Sequence, residues 1–287
     1  MSNRELYPEQ HTIDSGVSQV WVGVQPGEGP AIVLLHGFPD DSTIYDRLTP
    51  ELAGRHVVTI DFGGYGLSPR EDRRWTDGQR ETEVVAVLEQ LSLIGVTLVG
   101  HDASVAVAIN VTLDHLSLVG KLVLLNGYFH SDPALRLPDM IRLFGTPELH
   151  LLSDALMEDP QLRGWLLNHS GRQFGIDASA AENVAAHSIL PQYFGSAEHP
   201  DARTAIRQWT ATLFPEMHAN DVRVRNGDLQ QSTVPVVVAF GDGDPYLTAE
   251  IAGNIGALFP NVDVMPVADA SHWPQWDQPH AVAVHLR

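Results

Sequence analysis

The chain has 287 residues, no cysteine, and 17 Lys and Arg against 36 Asp and Glu, for a formal charge of −19. That length accommodates one large domain or a core carrying an insertion, and the missing cysteine excludes a disulfide framework, a thiolate metal site and a cysteine nucleophile. The acidic balance opposes nucleic acid and anionic membrane as partners. No apolar run is long enough to span a bilayer, and residues 1–10 lack the apolar stretch of a secretory signal, so the expectation is a soluble cytoplasmic protein; a homodimer is left open.

Taken in order, Val17 to Val24 alternates through Val20, Val22 and Val24, which predicts a half-buried strand. Ala31 to Leu35 is apolar without alternation, as in a parallel strand covered on both faces, and it ends in His36-Gly37-Phe38-Pro39. Thr43 to Ala53 has helical spacing, with Pro50 disturbing its last turn. Val57 to Ile60 predicts a further buried strand, followed by Asp61 and a glycine-rich turn. Thr76 can cap a helix reaching about Leu93. Val96 to Val99 and Lys121 to Asn126 are again strands, with a helix between them from Ala103 to Asn110. From about Phe129 to about Ser232 the strand pattern stops, and proline-punctuated helical segments follow at Ala134–Phe144, Glu148–Met157, Leu162–Leu167, Ala178–Leu190 and Asp201–Phe214. Strand character returns at Val234–Phe240 and Val262–Val267, with a helix over Thr248–Leu258 between them. Strands alternating with helices imply a parallel sheet wrapped on both sides, with ligands at the carboxyl ends of its strands.

Only Gly100-His101-Asp102 turns the chain between the strand at Val96 and the following helix. So short a turn forces its apex residue into strained backbone and requires small residues two positions before and two after, a demand that Gly100 and Ser104 meet around Asp102. The pattern resembles the nucleophile elbow of the α/β-hydrolase family. Because the apex is Asp, the resemblance is to the aspartate-nucleophile branch, which includes epoxide hydrolases and haloalkane dehalogenases. It implies a mostly parallel eight-stranded sheet wrapped by helices, with a core of residues 1–128 and 233–287 and a helical cap, 129–232, inserted after the sixth strand.

The resemblance also implies a mechanism. Asp102 attacks a saturated carbon and forms an alkyl ester; His272 then takes a proton from the water that attacks that ester, and Asp244 orients the imidazole. Backbone amides of Phe38 and Ala103 are the expected oxyanion donors. His36, Gly37 and His101 are read as structural neighbours of the site. Asp61, Asp242 and Asn126 are alternative stations for the acid. No metal or cofactor is required. For the leaving group, epoxide hydrolases use cap tyrosines, which points to Tyr193, although Thr210 stands where a second tyrosine is expected after Trp209. Ala103 replaces the bulky residue that other members carry after the nucleophile, so a bulky, mostly apolar small-molecule substrate is expected, with Trp165, Trp209, Phe144, Phe174 and Phe194 as candidates for the cap side. The leading expectation is epoxide opening. The alternatives are haloalkane dehalogenation through the same nucleophile, and a non-hydrolytic or ligand-binding protein of the same fold.

Overall fold

A computed structural model describes residues 3–70, 76–175, 184–195 and 201–287. Its centre is an eight-stranded sheet in the order β1-β2-β4-β3-β5-β6-β7-β8, formed by β1 (Glu9–Asp14), β2 (Gln19–Gln25), β3 (Glu28–Leu35), β4 (Arg55–Asp61), β5 (Val96–Asp102), β6 (Val119–Gly127), β7 (Val236–Gly241) and β8 (Val262–Val267). β1 and β2 pair antiparallel, as do β2 and β4, whereas β3 to β8 run parallel. The expected mostly parallel, eight-stranded architecture with a helical insertion is borne out.

Parallel strands sandwiched between helices must be apolar on both faces. In β3, Val33 and Leu35 join one apolar cluster while Ile32 and Leu34 join the other. In β6, Leu122 and Leu124 face the first cluster and Val123 and Leu125 the second. Helices α2 (Gln79–Gln90) and α3 (Ser104–Asp114) cover the first face, and the short α1 (Asn3–Leu6) lies at the amino-terminal end.

Between β6 and β7 the described residues form α4 (Asp139–Gly145), α5 (His150–Glu158), α6 (Pro160–Gln173), a π turn at Ala185–Ile189, α7 (Leu190–Phe194) and α8 (Arg203–Asn226). The expected helix over Ala178–Leu190 falls partly outside the described residues. After β7 come α9 (Ala249–Gly256), then β8, then α10 (Pro274–Asp277) and α11 (Pro279–Val284). Two local expectations need correction. Thr43–Ala53 forms two 3-10 turns, Ser42–Tyr45 and Thr49–Leu52, rather than one helix, with Pro50 at the start of the second. The strand β1 had no sequence signal, because among its six residues only Ile13 is buried.

The chain runs from β3 to β4 on one side and then returns to place β5 on the other side of β3. This reversal leaves a crevice between the carboxyl ends of β3 and β5, where open parallel sheets bind ligands. The segments after Leu35 and around Asp102 both open into it.

Candidate active site

The turn after β5 is as sharp as its sequence demands. Asp102 has φ of +52°, a left-handed conformation that costs a non-glycine residue about 1–2 kcal/mol. A Cβ on Gly100 would lie 2.7 Å from the Ser104 carbonyl oxygen, so only glycine lets strand and helix approach. The Ser104 hydroxyl accepts from the His101 amide at 2.9 Å and donates to the Leu35 carbonyl at 2.9 Å, joining the elbow to the end of β3. Ser104 is thereby fully engaged in holding the turn.

One oxygen of the Asp102 carboxylate, Oδ2, accepts the Phe38 amide at 2.9 Å, and the Ala103 amide also donates to the carboxylate. The other, Oδ1, lies 3.9 Å from His272 Nε2, beyond hydrogen-bond range. Burial pushes the Asp102 carboxyl above the ordinary carboxylate range, while the His272 charge and the Phe38 and Ala103 amides work in the other direction and favour the anion. Thus one oxygen is tied down and the other faces a cavity.

On its far side, His272 Nδ1 pairs with Asp244 Oδ2 at 2.7 Å. Asp244 is itself held by four donors: Oδ2 also accepts Asn126 Nδ2 at 2.9 Å, and Oδ1 accepts the amides of Tyr246 at 2.9 Å and Leu247 at 3.1 Å. Burial alone would lower the basicity of His272, but the charge and hydrogen bond of Asp244, then the charges of Asp102 and Asp40, outweigh it and raise its pKa to about 9. Burial likewise opposes ionisation of Asp244, yet the His272 charge and these hydrogen bonds hold its carboxyl below the ordinary range. The imidazole is therefore cationic at neutral pH, and its charge favours the ionised form of Asp102 against the effect of burial.

The other acid stations have different work. Asp61 accepts the amides of Ser42 and Leu67, each at 2.7 Å, and pins the loops after β3 and β4. Asp242 is exposed, and Asn126 supports Asp244 while its Oδ1 accepts the Gly241 amide at 2.7 Å. His36 is neutral: Nδ1 donates to the Gly37 carbonyl at 2.7 Å, Nε2 accepts the Phe62 amide at 3.1 Å, and burial pushes its pKa down to about 3. His101 Nε2 donates to the His272 carbonyl at 2.8 Å, fixing the backbone of His272. Gly37 is required by closeness, since a Cβ there would stand 2.5 Å from Asp102 Cβ.

Asp102 and His272 lie in a cavity of about 100 Å³ walled by Phe38, Ala103, Phe174 and Trp209, with Tyr128 and Tyr246 also on its lining. Trp209 is buried, its ring 5.8 Å from that of Phe38 and covered behind by the Arg80 guanidinium at 4.5 Å. Phe174 leans on the His272 ring at 5.1 Å.

Four of the expected substrate contacts do not line the cavity. Tyr193 is fully buried away from the cavity, and its hydroxyl donates to Met140 Sδ at 3.4 Å. Trp165 is 58% exposed and stacks on His169 outside the cavity. Phe144 and Phe194 do not line it either, and Thr210, which does, spends its hydroxyl on the Ile206 carbonyl at 3.0 Å. Tyr128 and Tyr246 were missed: each sits two residues past a recognised landmark, Asn126 or Asp244, in stretches read only as strand ends. Among the described residues, no cluster of three or more His, Asp or Glu is arranged to hold a metal ion.

The model of the alpha/beta hydrolase family matches residues 32–285. RutD of Caulobacter vibrioides, provisionally named a carbamate hydrolase, is 38% identical over 75% of this chain and 73% of its own. The sn-1-specific diacylglycerol lipase ABHD11 of Xenopus laevis is 24% identical over 88% of this chain and 77% of its own. Haloalkane dehalogenase DbeA from Bradyrhizobium elkani superposes with a TM-score of 0.75 over 97% of both chains, at 19% identity, a likeness that carries the fold alone. An elbow at the switch point, a histidine after the last strand and a family match across nearly the whole length agree: the chain belongs to the alpha/beta hydrolase family.

Proposed function

We propose that the protein is a cofactor-free epoxide hydrolase of the aspartate-nucleophile branch, acting on a mostly apolar small molecule, with residues 129–232 serving as the cap. The observation that carries this reading is the carboxylate at the elbow apex. The Phe38 amide donates to its Oδ2 and the Ala103 amide to the same carboxylate, while its Oδ1 lies beside His272 in an apolar cavity.

In this reading Oδ1 attacks an epoxide carbon and Asp102 becomes a neutral ester. The loss of its charge removes one of the interactions that raise the His272 pKa, so the imidazole gives up its proton and becomes the base that activates water. Water adds to the Asp102 carbonyl carbon, and the charge developing on Oδ2 meets the Phe38 amide, with the Ala103 amide also directed at the carboxylate; a preorganised donor of this kind is worth about 3 kcal/mol in the transition state. Asp244 keeps the tautomer and stabilises the imidazolium throughout.

Dehalogenation is the second reading, favoured by the buried Trp209 indole on the cavity wall, an aromatic group suited to a departing halide. The two are separated with His272→Gln, which halts the reaction at the ester. Incubated with terminal epoxides, this variant gains the mass of the whole epoxide on the peptide bearing Asp102. Adducts from haloalkanes alone, with halide released, would select the second reading, and the absence of any adduct would remove both.

A further inference from the structure

We propose that the hydrogen-bond donor that opens the epoxide is Tyr128, supplied by the end of β6 rather than by the cap. The inference rests on the epoxide reading given above.

Its first support is placement. In the β5–β6 ladder Asp102 is registered opposite Gly127, so Tyr128 is the first residue beyond the nucleophile on the adjacent strand. Gly127 makes this closeness achievable, because a Cβ there would lie 2.6 Å from the Asp102 carbonyl oxygen and 2.2 Å from Val105 Cγ2. Tyr128 lines the same cavity as Asp102 and His272.

Its second support is a hydroxyl that no described protein group engages. Partly buried tyrosines normally find a partner for their O–H. Tyr128 packs its ring against the core, yet its hydroxyl bonds to no described residue. Of the buried tyrosines, Tyr193 bonds to Met140, Tyr7 to Thr49 and Tyr45 to the Leu35 carbonyl, while Tyr65, whose hydroxyl also has no partner among the described residues, does not line the cavity. Tyr246 reaches the cavity, but the carboxylates acting on it are Asp139 and Asp244, whereas Tyr128 feels Asp102 itself.

Its third support is electrostatic. Burial first, then the charges of Asp102 and Glu216, hold the Tyr128 hydroxyl well above its ordinary pKa, so it remains a donor whenever Asp102 is ionised. When Asp102 is alkylated its negative charge reappears on the epoxide oxygen, within the same cavity.

The step balances. Asp102 Oδ1 forms a bond to the epoxide carbon, the carbon–oxygen bond breaks, and its electron pair goes to the oxygen, which takes the Tyr128 proton. The tyrosinate recovers a proton from the His272 imidazolium through solvent, leaving the neutral imidazole. In hydrolysis one proton of water goes to His272 and the other to the departing diol oxygen, so one epoxide and one water yield one diol and the starting enzyme.

The test compares the rate of ester formation, followed by mass on the Asp102 peptide, in His272→Gln and in His272→Gln with Tyr128→Phe. The double variant is expected to alkylate about 10²-fold more slowly or worse. The loss should shrink for epoxides whose electron-withdrawing substituents make the alkoxide less basic, a dependence that a purely structural defect would not produce. Equal rates, or a loss independent of the substituent, would overturn the role of Tyr128 while leaving Asp102 as nucleophile. Absence of adduct in the His272→Gln parent would instead overturn the epoxide reading, and this inference with it.

Discussion

Gly37→Ala tests whether the Asp102 carboxylate is held by close packing against the loop after β3. The added Cβ would lie 2.5 Å from Asp102 Cβ and 3.0 Å from both His101 Nδ1 and the His101 carbonyl oxygen. Carbon atoms settle at about 3.5–4.0 Å, so the loop after β3 and the elbow must separate by about 1 Å. Overpacking of this kind costs about 1–3 kcal/mol of stability, which a domain with an ordinary reserve of about 5–15 kcal/mol survives folded. The reaction suffers more. The Phe38 amide, one residue from the new methyl, moves off Asp102 Oδ2, and a misplacement of about 1 Å costs about 10²-fold in rate. Urea denaturation measures the first effect, and rapid-quench mass spectrometry of Asp102 alkylation measures the second. A Gly37→Ala enzyme that alkylates at the parent rate would refute the reasoning, because the donor and nucleophile would then tolerate the separation that the structure forbids.

Two further outcomes follow from the charges. Asp102→Asn removes an anion that stabilises the His272 imidazolium, so the imidazole pKa, about 9 in the parent, should fall; an NMR titration reads it, and an unchanged value would contradict the pairing. The same raised pKa makes His272 stabilising below its unfolded value of 6.5, with that contribution lost as pH rises through 9, so Asp102→Asn should flatten the decline in stability between those limits. Asn126→Ala strips one donor from Asp244 and leaves the buried Gly241 amide without its acceptor, at a cost of about 1–3 kcal/mol by chemical denaturation; a change near zero would show that solvent replaces both bonds.

What was legible in the sequence was whatever a local rule constrains. Gly100 and Ser104 identify the elbow because no larger side chain fits beside Asp102, and buried parallel strands such as β3 and β6 declare themselves by unbroken apolar runs. The polar edge strand β1 had no such signature, since its pairing with β2 rests on backbone hydrogen bonds. The direction of a cap side chain is set by how helices lie on the core, which no periodicity fixes. Tyr193 therefore passed as a substrate contact, although its helix turns it toward Met140. Tyr128 was overlooked for the opposite reason: its importance comes from a cross-strand register with Asp102, a relation between segments far apart in the chain.

The central claim, that Asp102 Oδ1 forms the bond to substrate, is tested most directly by a single turnover in heavy-oxygen water with enzyme in excess over a terminal epoxide. The account predicts an unlabelled diol and one heavy oxygen in the carboxylate of the peptide bearing Asp102. A labelled diol with that peptide unchanged would mean that water attacks the epoxide itself, and would contradict it.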